Sequence, residues 1–345
     1  MAMALKRAEK PRAARTKVDG VRASSRIDRR RFAEMFEGAV TNIEKVIKGK
    51  TDVIRLALVA LFSEGHMLFE DVPGVGKSML ARAIGKTINA EASRVQCTPD
   101  MLPGDIIGSS ILNQTDYTFS FRKGPIFANI LLVDEINRAT PKTQSALLEG
   151  MAERSVTVDG TTYKLPRPFL VMATQNPIEL AGTFPLPEAQ LDRFLFKLAM
   201  GYPSDAAETE ILESHRRTLP IDTLEPVLTG ADVLAMIEWA TGVTVSPEVM
   251  RYIITLAQAT RKEPSFQLGA SPRASLALMW ASRVLAASQG REDVYPDDVK
   301  SVVPAVMVHR VLLTPDAVLR GETVEGVLER LLGRVKPPLV SGSVE

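Results

Sequence analysis

Asp71-Val72-Pro73-Gly74-Val75-Gly76-Lys77-Ser78, DVPGVGKS, lies between the apolar run His66-Met67-Leu68-Phe69 and a segment of helical character from Met79 to Asn89. Gly74 and Gly76 let the backbone curl until successive N–H groups point at one anion, and the positive end of the next helix adds to the attraction. The stretch therefore reads as a phosphate-binding loop, in which Asp71 to Ser78, with Met79 opening the helix, surround the phosphates of ATP. Lys77 is placed to reach the β- and γ-phosphates, and the Ser78 hydroxyl to ligate Mg²⁺. The usual pattern, G-x-x-x-x-G-K-[ST], begins with Gly where this chain has Asp71. Asp is among the few residues that accept left-handed backbone, so Asp71 is expected to be a tolerated turn residue.

Such a loop needs a sheet beneath it. Strand-like segments recur at Arg94 to Cys97, Ile130 to Asp134, Phe169 to Thr174 and Phe194 to Ala199, separated by helical ones. That alternation predicts a parallel sheet with helices on both faces. The unbroken apolar runs Ile130-Leu131-Leu132-Val133 and Phe169-Leu170-Val171-Met172 fit strands buried on both sides. Upstream, Phe32, Met35, Phe36, Ala39, Val40, Ile43, Val46 and Ile47 mark one face of a helix, and a second helix is expected from Asp52 to Glu64 with Thr51 as its N-cap. Two hairpins interrupt the alternation, Ile111 to Arg122 and Ser155 to Tyr163, the latter turning at Asp159-Gly160. Past Gly201-Tyr202-Pro203 the pattern becomes helical. The expected division is a tail over 1–31, an α/β core over 32–202, an all-helical domain over 203–336 and a short tail over 337–345.

Hydrolysis needs more than a cradle. Ile130 to Glu135, followed by Ile136-Asn137, ends a buried strand in two carboxylates. Asp134 is suited to hold Mg²⁺ through water together with Ser78, and Glu135 to polarise the attacking water. Asn176 follows another buried strand, at the sheet end where ligands bind in open α/β folds, and is a candidate to orient the water or touch the γ-phosphate. Arg193 precedes the last strand, where it could meet the γ-phosphate of a neighbouring subunit or merely pair with Asp192 or Glu188. Arg273 sits in the first turn of a helix opened by Ser271 and Pro272, against the helix dipole. That placement suggests an anion nearby, and Arg273 is expected to reach from the helical domain onto the phosphates.

Composition narrows the field. The chain has 345 residues, 45% hydrophobic and 24% charged, with a formal net charge of +1. That is ordinary for a protein with a sizeable core, and it supplies no global field for nucleic acid or an anionic membrane. Basic residues are concentrated between Lys6 and Arg31, which reads as a solvated tail. No apolar run approaches the roughly 18 residues that a membrane span requires, so no membrane insertion is expected. The single Cys97 allows no intramolecular disulfide and fits a reducing cytoplasm. His66, His215 and His309 have no ligand-spaced partners, so core or solvated roles are expected for them.

The segments DVPGVGKSMLARAI, PDMLPGDIIG, GPIF before LLVDEINRATPKTQSALLEGM, VTVDG, FLVMATQNP, FPLPEAQLDRF and ASPRASLALMWAS, taken in this order, closely resemble the MoxR family of AAA+ ATPases from about Phe32 to Val335. The resemblance implies an AAA+ P-loop NTPase with a five-stranded parallel sheet and a C-terminal helical lid. It makes DVPGVGKS the Walker A motif and LLVDE the Walker B motif, with Asn176 as sensor 1, Arg193 as the arginine finger and Arg273 as sensor 2. The two hairpins become similar to this clade's helix-2 insert and pre-sensor-1 hairpin, pore or client-facing elements. It further implies a homo-oligomer, a hexameric ring, that matures protein complexes, in some cases aiding metal or cofactor insertion, through partners with a von Willebrand factor A domain. Alternatives are a motor subunit like that of magnesium chelatase, a nucleotide-gated scaffold without significant turnover, and a nucleic-acid remodeller resting on the basic tail alone.

Overall fold

The structure is a computed structural model that describes residues 27–115, 117–176, 182–214 and 219–338. Most of the expected basic tail, together with Asp116, Pro177 and His215, lies outside these residues.

Two helices open the fold. In α1 (Arg29–Glu44) the Asp28 carboxylate caps the helix by accepting the Arg31 N–H, and the apolar face predicted from Phe32 to Ile43 is buried. The second helix, α2 (Thr51–Phe62), corrects the expected cap: Lys50 holds the N-cap position and Thr51 is already helical. The Thr51 hydroxyl is taken by the Glu44 carboxylate, which leaves it unable to cap its own helix.

Then comes β1 (Met67–Glu70), followed directly by α3 (Lys77–Thr87), β2 (Ala92–Gln96), the short α4 (Pro103–Ile107) and the antiparallel hairpin of β3 (Gly108–Asn113) and β4 (Thr118–Lys123). The core continues through β5 (Ile130–Asp134), α5 (Pro141–Glu153), the hairpin of β6 (Ser155–Val158) and β7 (Thr161–Lys164), β8 (Leu170–Gln175), α6 (Glu188–Leu191) and β9 (Phe196–Leu198). Asp159 and Gly160 both have positive φ, 50° and 77°, as a tight two-residue hairpin turn requires.

The five main strands form one parallel sheet in the order β2-β5-β8-β1-β9. Side chains alternate across it. Met67, Phe69, Ile130, Leu132, Leu170 and Met172 join one apolar cluster, whereas Leu68, Leu131, Val133, Val171 and Ala173 join another on the opposite face. This two-sided burial is why the central strands read as unbroken apolar runs. The first cluster passes through α1 and α2 into the C-terminal helices.

The C-terminal region is helical: α7 (Asp205–Ser214), α8 (Gly230–Thr241), α9 (Pro247–Lys262), α10 (Pro272–Ser288), α11 (Pro296–Met307), α12 (Pro315–Leu319) and α13 (Val324–Arg334). A short antiparallel ribbon, β10 (Phe266–Leu268) with β11 (Leu312–Leu313), is added to it. Thr229, Ser246 and Ser271 cap α8, α9 and α10 by accepting first-turn N–H bonds. Among the described residues no helix is long and apolar enough to cross a membrane.

Candidate functional site: a phosphate loop facing paired carboxylates

β1 delivers the loop at the carboxyl end of the sheet. Gly74 and Gly76 adopt φ of 86° and 96°, in the left-handed region that L side chains resist. A Cβ at Gly74 would meet nothing within 4 Å, so conformation rather than space requires glycine there. Helix α3 begins at Lys77, two residues earlier than expected, with Gly76 at its N-cap and no side chain capping it. Its first N–H groups and their partial positive charge are thus left to a ligand. Lys77 is largely buried, and its Nζ donates to the Asp71 and Val72 carbonyls at 3.1 and 3.0 Å, which fixes the ammonium across the loop.

A cavity of about 320 Å³ opens here. Gly74, Gly76, Lys77 and Ser78 line it together with Asp134, Glu135 and Asn176. Pro73 and Met79 also line it; Val75 instead packs against the core, and Val72 contributes its carbonyl to Lys77.

Asp71 departs from expectation. It has no left-handed φ, so it is not present to permit a strained turn. Its Oδ1 accepts the Val72 N–H at 2.8 Å, and its Oδ2 accepts the N–H groups of Met200 and Gly201 at 2.6 and 2.7 Å. The carboxylate is therefore engaged by backbone donors on the side of the loop where β9 ends.

Asp134 is 7% exposed. Its Oδ1 accepts the Thr174 hydroxyl at 3.2 Å, and its Oδ2 accepts Arg94 Nε at 2.6 Å. Glu135 has φ +55°, an uncommon conformation for a residue with a Cβ, and its N–H donates to the same Thr174 Oγ1 at 2.9 Å. Its carboxylate pairs with Arg138 at 3.0 Å. Thr174 on β8 thus ties the Asp134 carboxylate to the Glu135 backbone at the end of β5. Sequence reasoning missed Arg94, Arg138 and Thr174. Thr174 stands two residues before Asn176 at a strand end, and that proximity was the available signal.

The donor set fits Mg²⁺. Ser78 and Asp134 offer hard oxygen donors to one cavity, and Mg²⁺ characteristically takes one or two protein ligands with phosphate oxygens and water. Among the described residues no group of three or more His, Cys, Asp or Glu side chains could hold a metal alone.

The two arginines lie elsewhere. Arg193 and Arg273 line a second cavity of about 290 Å³ with Asp192, Arg310, Glu64 and Trp280; neither lines the first. Arg273, expected to reach onto the phosphates, lines this second cavity and not the first. Arg193 donates to the Leu148 carbonyl at 2.8 Å, and Asp192, the expected ion-pair rival, pairs instead with Arg310 at 2.8 Å. Asp192 also accepts the hydroxyl of Ser271, whose oxygen caps the Arg273 N–H, so its carboxylate ties the start of α10 to the segment that carries Arg193.

Two of the three histidines fall among the described residues, and both are buried. His66 Nδ1 accepts the Val171 N–H, which places its proton on Nε2 toward the Met151 carbonyl. Burial pushes its pKa down to about 4, and likewise holds His309, bonded to the Phe194 carbonyl, well below the usual range. Cys97 is a packed core thiol, pushed up to about 12 by burial and by the charges of Asp134 and Glu135.

The residues 66–196 match the family described as ATPase family associated with various cellular activities (AAA), and residues 258–331 match the AAA lid domain. The chain is 49% identical over 306 residues to Uncharacterized protein YeaC of Bacillus subtilis (strain 168), covering 89% of this chain and 96% of that one. It is 43% identical over 314 residues to Chaperone MoxR1 of Mycobacterium tuberculosis, covering 88% and 83%. The crystal structure of "a putative ATPase from Cytophaga hutchinsonii" superimposes with a TM-score of 0.84 at 36% identity, covering 90% of this chain and 97% of that one.

Proposed function

The chain belongs to the MoxR family of AAA ATPases, and from that premise we propose that it is a Mg²⁺-dependent ATP hydrolase working as a ring-forming, chaperone-like remodeller of protein complexes. The observation that carries the reading is the single cavity in which Lys77 and Ser78 face Asp134, Glu135 and Asn176. Mg²⁺ held by Ser78 and Asp134 would neutralise charge on the phosphate oxygens. Lys77 and the uncapped N–H groups of α3 bind the phosphates, Glu135 accepts the proton of the attacking water, and Asn176 orients that water.

Arg193 and Arg273 suit a different task. They sit together outside their own chain's phosphate cavity, which favours their meeting the nucleotide of an adjacent subunit. Hydrolysis is then shared between copies, and a hexameric ring is the natural closed arrangement. The exposed Tyr117 and Phe119 near the tip of the β3–β4 hairpin are suited to contact a protein client, in keeping with the chaperone name of the mycobacterial relative. A partner carrying a von Willebrand factor A domain, and maturation steps that include metal or cofactor insertion, complete the proposal.

Phosphate release tests it. Wild type should hydrolyse ATP, Lys77→Ala should lose nucleotide binding, and Glu135→Gln should bind ATP without turning it over. Equal turnover by wild type and Glu135→Gln would remove Glu135 from the chemistry. The ATP-locked Glu135→Gln form, used as bait in cells, would then identify the client.

A further inference from the structure

An acidic side chain at the entrance of an anion-binding loop is electrostatically misplaced unless its charge is directed elsewhere, and Asp71 is so directed. Its Oδ2 accepts two consecutive backbone N–H groups, Met200 at 2.6 Å and Gly201 at 2.7 Å, both about 130 positions away in sequence. These residues follow β9 and precede α7, where the chain passes from the sheet into the helical region. Gly201 has φ +61°, the conformation of a backbone corner. The next carbonyl, of Tyr202, accepts Lys50 Nζ at 2.8 Å from the connection between α1 and α2. The Met200 methyl lies 3.8 Å from where a Cβ on Gly76 would stand. On its other side, the main chain of Asp71 accepts Lys77 Nζ at 3.1 Å and donates to the Gln175 carbonyl at 3.4 Å. One residue thus touches the phosphate-binding lysine, the strand before Asn176 and the core–lid connection.

We propose that Asp71 is a positioning residue that ties the phosphate loop to the Met200–Gly201 connection, so that movement of the loop on nucleotide is transmitted to the lid. Charge-assisted bonds from a carboxylate to two N–H groups are short and directional, which suits a strut. The inference rests on the ATPase reading given above. It explains why this loop has Asp where the general pattern has Gly: Gly would complete the pattern and remove the strut.

Hydrogen exchange of the full-length chain, with and without a slowly hydrolysed ATP analogue and Mg²⁺, tests it in wild type, Asp71→Gly and Asp71→Asn. In wild type the analogue should change protection both at Gly74 to Ser78 and at Met200 to Gly201. In Asp71→Gly the loop should still respond while the connection does not. Asp71→Asn, which keeps one acceptor oxygen, should fall between them. In turnover, kcat of Asp71→Gly should drop roughly tenfold, within the range usual for coupled sites, with KM changed by less than about threefold. A connection that responds to the analogue in Asp71→Gly as it does in wild type overturns this inference alone. A wild-type chain whose loop shows no response overturns the ATPase reading, and the inference with it.

Discussion

Arg94 Nε lies 2.6 Å from Asp134 Oδ2, so the carboxylate suited to Mg²⁺ is already paired with a cation from the neighbouring strand. A metal approaching Asp134 competes with that cation. The Arg94 side chain is 57% exposed although that of Asp134 is only 11% exposed, so solvent screens the pair from the arginine's side and its contribution is on the order of 1 kcal/mol.

Removing Arg94 should therefore favour the metal. In Arg94→Ala the Mg²⁺ concentration for half-maximal ATP hydrolysis should fall by roughly two- to fivefold, the ratio that about 0.5–1 kcal/mol corresponds to. Urea unfolding should change little. A Mg²⁺ titration at fixed ATP decides it, and an unchanged midpoint would mean that Arg94 and the metal do not compete.

Thr174, which links the Asp134 carboxylate to the Glu135 backbone, should be as important as those two residues. Thr174→Val keeps the shape but strands the Glu135 N–H and one Asp134 oxygen, a stability cost of about 1–3 kcal/mol. We expect kcat to fall about tenfold or more while Thr174→Ser retains most activity, since Ser restores the hydroxyl. Full activity in Thr174→Val would show that the positive φ of Glu135 needs no such tether.

Some of this was legible in the sequence. The phosphate loop, the strand ending in Asp134-Glu135, Asn176 and the two hairpins are local patterns, each read from a few consecutive residues whose spacing the backbone geometry dictates. That the sheet is parallel followed from alternating strands and helices, whereas its strand order rests on long-range pairings that the alternation does not specify. What stayed hidden depends on contacts distant in sequence: Asp71 with Met200 and Gly201, Arg94 with Asp134, and Asp192 with Ser271 and Arg310. For Arg273 the helix start was readable from Ser271 and Pro272, but which cavity it lines is set by how α10 packs.

If Arg193 acts on a neighbour's nucleotide, inactive chains should rescue one another. Arg193→Ala and Glu135→Gln should each lose most turnover, an arginine finger being worth roughly 10³–10⁵ in rate. Mixing them creates interfaces where an intact Glu135 site meets an intact Arg193, so ATPase activity should reappear. Arg273→Ala should behave in the same way if it shares the cavity's task. Mixtures no more active than their parents would sink action in trans.

His66 and His309 set the acid response of the fold. Both have depressed pKa in the folded chain, mainly from burial, so below about pH 6.5 the unfolded chain binds protons that the folded chain refuses, for His66 down to about pH 4. Stability is therefore fully present above pH 7 and declines as pH falls through that window. For His66, whose folded pKa is about 4 against 6.5, the loss approaches about 3 kcal/mol by pH 4. Glu64 acts in a lower window: burial opposes its ionisation, but Arg167 and Arg154 outweigh this and lower its pKa, so its contribution is lost only below about pH 4.5. His309→Gln can still donate toward the Phe194 carbonyl but does not titrate. Urea midpoints at pH 7.5, 6.0 and 5.0 should thus fall less steeply in His309→Gln than in wild type, and equal slopes would mean that His309 is not held neutral by the fold.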